Sequence, residues 1–95
     1  MNKEEQEILE LNDPNKSFWY CVNNQNIANI KAHQQVIINS KNRVECFYFA
    51  KHIRNSNKQL LSEIVLVSGD LFWIKKFYNE VDFDKSKYER LMLFI

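Results

Sequence analysis

His33, His52, Cys21 and Cys46 are the side chains of this 95-residue chain best suited to metal binding or nucleophilic chemistry. A two-histidine metal site on one helix needs i, i+4 spacing, so that both rings project from one face. Neither histidine has such a partner, and each reads as a surface or edge residue. Cys46 and His52 are the nearest thing to a thiol–imidazole pair. Six positions apart, they fall on different faces of one helix and cannot meet. The two cysteines read as reduced, small core side chains, ahead of a Cys21–Cys46 disulfide.

Carboxylates cluster at Glu4, Glu5, Glu7 and Glu10, which reads as a solvated helix face near a helix start. Asp82 and Asp84 lack the glycine and terminal glutamate of a calcium loop and read as helix caps. Gly69 is the only glycine, so no glycine-rich phosphate loop exists. The expectation is a protein that is not an enzyme, with no cofactor and no metal.

Aromatic pairs offer a different chemistry. Trp19–Tyr20, Phe47–Tyr48 and Phe72–Trp73 each fall on the first helix of a recurring unit, with Lys16, Lys51, Lys75 and Lys76 nearby. Large aromatics fill cores, but of two adjacent ones at least one must leave the buried stripe. Such leftover rings anchor protein partners, and interleaved with lysines they also stack bases. The net charge is only +1, which supplies no field to attract a polyanion. A protein partner, bound through Trp19, Tyr20, Phe47, Tyr48, Phe72 and Trp73, therefore ranks ahead of nucleic acid.

These side chains need elements to hold them. Phe18, Cys21, Val22 and Gln25 stand at i, i+3, i+4 and i+7, one face of a helix. An offset of 28 residues carries them to Cys46, Phe49, Ala50 and Ile53, and again to Ile74, Phe77, Tyr78 and Val81. The segments behind them repeat too: Ala32, Val36 and Ile37 become Leu60, Ile64 and Val65, then Tyr88, Met92 and Leu93. Hydrophobic residues make up 45% of the chain, too many for disorder. One glycine and one proline are too few turn formers for a barrel or sandwich. The expected fold is all-α: a helix at 2–11 started by Asn2, with Glu5 three positions later as in a capping box, then six more. These cover about 14–23, 27–39, 43–53, 58–67, 71–79 and a last one capped by Asp82 or Asp84 and ending near Phe94. Val36–Ile38 and Ile64–Val67 are β-branched enough to be strands, but both close a longer 3.6-residue pattern, which favours helix.

Short joints force neighbouring helices antiparallel. The chain thus reads as one domain, a small α-solenoid: a capping helix at 1–12, then hairpin units at 13–40, 41–68 and 69–95, each covering its neighbour's apolar stripe. The apolar run Leu91–Ile95 at the open end is a candidate for self-association. No apolar run is long enough to cross a membrane, and the polar start shows no secretory signal, so a cytoplasmic location is expected.

Cys46-Phe47-Tyr48-Phe49-Ala50-Lys51-His52-Ile53, followed by Asn57 and the apolar Ile64 and Val65, resembles short helical-hairpin repeats of bacterial and mobile-element proteins. Those repeats carry an aromatic-rich helix of Phe-Ala-x-x-Ile type and then an Asn-Ile-x-x-Leu type helix. Trp19-Tyr20-Cys21, Asn29-Ile30-Lys31 and Val36-Ile37 form an earlier copy, and Phe77-Tyr78 with Val81 a degenerate last one. The resemblance implies an interaction scaffold and no reaction. The expected function is a non-catalytic protein-interaction module. Its most specific form is a small phage or mobile-element inhibitor of a host protein such as a CRISPR nuclease. The alternatives are a nucleic-acid-binding regulator and a self-associating structural protein.

Overall fold

Short polar side chains start nearly every helix. Asn2 accepts a hydrogen bond from the Glu5 amide at 2.7 Å and opens α1 (Lys3–Leu11). Asp13 caps α2 (Pro14–Asn23), where Pro14 loses nothing by lacking an amide hydrogen. Asn29 caps α3 (Ile30–Ser40), Asn42 caps α4 (Arg43–His52), Asn57 caps α5 (Lys58–Ser68) and Asp70 caps α6 (Leu71–Glu80). Only α7 (Ser86–Met92) starts without a cap from its preceding residue, Lys85. Asp84 substitutes, accepting from the amide and hydroxyl of Ser86. The computed structural model describes residues 2–94, and among them it contains these seven helices and no strand. Val36–Ile38 lies in α3 and Ile64–Val67 in α5, so the helical period outweighed β-branching.

The joints are also regular. Asn12, Lys41 and Gly69 all take the left-handed conformation, with φ of 52°, 53° and 71°. Each sends its amide back to a carbonyl three residues earlier. Around Lys41 and Gly69 the match extends further. Ser40 and Ser68 donate to the carbonyls of Ile37 and Val65, then accept the amides of Asn42 and Asp70. The helices α3, α5 and α7 begin at residues 30, 58 and 86, at the 28-residue offset of the apolar pattern. Expected and observed bounds differ most at α3, which begins at Ile30 and not near Ile27. Asn29 holds the cap, and residues 24–28 are used in turns closed by the Asn24 carbonyl.

The repeated first-helix positions form the core. Phe18, Cys46 and Ile74 are buried, as are Cys21, Phe49 and Phe77, and Ala50, Ile53 and Val81. Gln25 is the exception, being polar at a position that Ile53 and Val81 fill with hydrocarbon. Its amide instead donates to the His52 carbonyl and accepts from the Arg54 amide, joining one interhelix link to the next. In the second helices Val36, Ile37 and Val65 are buried as the spacing requires, and the departure lies one turn earlier. His33 and Leu61 are fully buried, whereas Leu60 is partly solvent-exposed. Leu93 is exposed, while Tyr88 is buried and donates to the Ser62 carbonyl.

Helix α2 packs against α3 and α4, and α4 packs against α5 and α6; α1 rests on α2 and α3. The molecule measures 48 × 21 × 15 Å. Leu91 and Met92 of the apolar end pack on the core, Leu93 and Phe94 face solvent, and Ile95 lies outside the described residues.

Candidate functional site

Two polar constellations stand out. The first ties α1, α2 and α3 together in the interior. The Ser17 hydroxyl lies 3.0 Å from His33 Nδ1, and His33 Nε2 lies 2.9 Å from a Glu5 carboxylate oxygen. The same oxygen accepts the Asn29 amide at 2.7 Å. Serine, imidazole and carboxylate in series are the components of a hydrolytic relay. Here Ser17 and His33 are completely buried and Glu5 nearly so, and no substrate can approach the hydroxyl. Tyr20 closes the other side, its ring stacked on His33 at 5.1 Å between centroids. The arrangement is a buried bolt. It corrects two expectations: Glu5 belongs neither to a solvated acidic face nor to a capping box, and His33 is not a surface histidine.

The second constellation is open. Helices α2 and α4 border a groove of about 480 Å³, walled by Phe18, Trp19, Val22, Val44 and Tyr48. Glu45, His52, Asn15 and Gln25 supply its polar edge. Phe18 touches Trp19 edge-on at 5.3 Å, and His52 stacks parallel on Tyr48 at 6.0 Å. Burial holds the Glu45 carboxyl above the usual carboxylate range; the Asn15 amide beside it opposes that rise, and the Asp13 charge adds to it. No lysine or arginine among the described residues forms an ion pair with Glu45.

The six aromatic residues expected to meet a partner divide sharply. Trp19 is 54% exposed, Tyr48 37% and Phe72 64%. Trp73 is half-buried against the core. Tyr20 and Phe47 are buried, so neither reaches a partner, contrary to expectation. Tyr20 is committed to His33, and Phe47 packs on Trp73 and Phe77. The accessible rings are still linked across α2, α4 and α6, through the buried Phe18. Trp19 meets Phe18, Phe18 meets Tyr48, Tyr48 meets Trp73, and Trp73 meets Phe72. Glu45 and His52 were not expected in this site. The 28-residue offset carried a usable signal, because it aligns Glu45 with Trp73 and leaves a carboxylate where the next unit has an indole.

The cysteines are unsuited to chemistry. Burial, and secondarily the nearby Glu5 and Glu45 charges, push the Cys21 and Cys46 thiols up to about 12. Both are free and buried. Among the described residues no three histidine, cysteine or acidic side chains are grouped to hold a metal, and no helix is long and apolar enough to cross a membrane. No protein-family model matches the chain, and neither the curated proteins nor the solved structures contain a significant match. The resemblance to helical-hairpin repeats therefore stands on the internal pattern alone.

Proposed function

We propose that the chain is a non-catalytic protein-binding module, a short solenoid of helical hairpins whose first helices present an aromatic row. The observation that carries this reading is the exposure of Trp19, Tyr48 and Phe72 on alternate helices α2, α4 and α6, while Phe18, Tyr20, Phe47 and Phe49 beside the first two are buried and Trp73 beside the third is half-buried. Large rings on short, mutually braced helices lose little side-chain freedom on binding. The solenoid is supported by polar contacts that step along the chain by about one unit: Glu5 to Asn29, Gln34 to Asn57, Arg43 to Asp70 and Lys51 to Glu80. The nucleic-acid alternative is weakened by the same contacts. Lys51 and Lys76, which flank the row, are both paired with Glu80, so their charge is already met within the chain.

Site-specific photo-crosslinking in the cell that makes the chain tests the reading. Benzoylphenylalanine in place of Tyr48 or Phe72 should yield one discrete adduct with a second protein. The same probe at Val67, on α5, should not. No adduct at 48 or 72, or the same adducts at 67, would refute it. The adduct's identity also decides the narrower form, a mobile-element inhibitor bound to a host protein such as a CRISPR nuclease.

A further inference from the structure

The groove between α2 and α4 has a neighbour against which it can be judged. Moving its residues by 28 positions gives the α4–α6 interface: Trp19 becomes Phe47, Glu45 becomes Trp73, Tyr48 becomes Lys76, and His52 becomes Glu80. In that interface the aromatic surface is closed. Phe47 is fully buried on Trp73, at 5.6 Å between centroids. Two ammonium groups lie over the Phe47 ring, Lys76 at 5.4 Å and Lys51 at 5.7 Å from its centre. Glu80 holds both, with Lys76 at 2.8 Å. The fold thus satisfies this interface with an aromatic face, a carboxylate and cations, all from its own chain.

The α2–α4 groove has the first two components and lacks the third. Trp19, Phe18 and Tyr48 offer ring surface, and Glu45 offers a carboxylate. The positions that correspond to Lys51 and Lys76 are Asn23 and Tyr48, neither of them a cation. Glu45 is left partly desolvated with no ion-pair partner among the described residues. A cation over an aromatic face is attracted by the ring quadrupole, most strongly over an indole. Guanidinium is planar and weakly hydrated, so it enters a half-dry aromatic groove more readily than ammonium.

We infer that this groove receives an arginine side chain of the partner protein, its guanidinium laid on the Trp19 and Tyr48 rings and its charge met by Glu45. The inference rests on the protein-binding reading and specifies the chemistry of the bound surface. The partner then contributes in trans what Lys51 and Lys76 contribute next door in cis.

The test uses the unaltered chain and two short peptides, acetylated and amidated, with arginine or citrulline at the centre. Citrulline keeps the shape and removes the charge. Proton NMR follows the two indole signals, with Trp73 as internal control. The arginine peptide should shift the Trp19 indole in a saturable way and the citrulline peptide about tenfold more weakly, the step expected of one desolvated cation–π and ion-pair contact. Glu45→Gln, checked for unchanged helical circular dichroism, should shrink the difference between the peptides to the part that the rings alone supply. Equal binding of the two peptides, no Trp19 shift at about 10 mM peptide, or an arginine preference undiminished by Glu45→Gln overturns the inference. If the arginine arm fails while the Tyr48 adduct persists, the cation is wrong and the protein-binding reading stands.

Discussion

Glu5, Ser17 and His33 show how far a single side chain can depart from its composition-based reading. Burying a carboxylate and an imidazole is costly unless every lone pair and proton finds a partner. Here Glu5 receives both His33 and the Asn29 amide, and Ser17 occupies the other ring nitrogen. Glu5→Ala removes one member and strands the rest, so it should lower unfolding free energy by roughly 3 kcal/mol in urea titrations. Ser17→Ala strands one ring nitrogen and should lower it by about 1–2 kcal/mol. The thiols give a second residue-level expectation. Cys21 and Cys46 are protonated and buried at neutral pH, so a thiol-reactive dye should label neither until the chain opens. Fast labelling of the native protein would show that the core around α2 and α4 is looser than described. Glu45 adds a pH signature. Its folded pKa is raised, so its charged form is disfavoured by folding, and that cost disappears as pH falls through the raised value. Glu45→Gln should therefore raise Tm at neutral pH and leave it unchanged in acid.

At the scale of elements, one joint is built twice with different residues. Ser40–Lys41–Asn42 and Ser68–Gly69–Asp70 share the serine-to-carbonyl bond, the left-handed middle residue and the capping side chain that follows. Glycine takes that conformation freely, whereas lysine carries a Cβ that opposes it. Lys41→Gly should stabilise the fold by about 1 kcal/mol, and Gly69→Ala, although a Cβ there meets nothing within 4 Å, should destabilise it by a similar amount. Equal and opposite shifts in the urea midpoint would show that the two joints are equivalent. The helix starts were legible in the sequence because Asn and Asp caps act locally, through bonds to amides two or three residues ahead. The misplaced start at α3 stood in a run with several eligible asparagines, and α7 begins at Ser86, beyond the two aspartates expected to cap it. Asn29 holds the cap of α3, with its own amide bound by Glu5 from α1.

Over the whole molecule, charge links adjacent units. Asp70 is held below the usual carboxylate range chiefly by its hydrogen bond to Arg43, and Glu80 by those to Lys51 and Lys76. Groups with depressed folded values contribute stability in full above the unfolded value of about 4 and lose it as pH falls through the folded one. The contribution is small for such exposed pairs and is screened by salt. Asp70→Asn keeps the cap and removes the charge. It should lower Tm slightly at pH 7 in low salt, with the difference vanishing at pH 2 and shrinking in molar salt. An undiminished difference at pH 2 would mean that Asp70 acts as a cap and not as a charge.

Helix positions, most caps and the 28-residue spacing were determined by the sequence itself, because each depends on side chains within a turn or two of one another. The first-helix core, from Phe18 through Cys46 to Ile74, followed from that spacing. Which ring of each aromatic pair turned inward was decided only by tertiary structure. Adjacent helical positions are about 100° apart and both border the buried stripe, so the neighbouring helix makes the choice. Phe47 found Trp73 and went in; Trp19, facing Glu45 across α2 and α4, stayed out. The buried Glu5–His33 pair belongs to the same class, since its partners are 28 residues apart and only packing brings them within hydrogen-bonding distance.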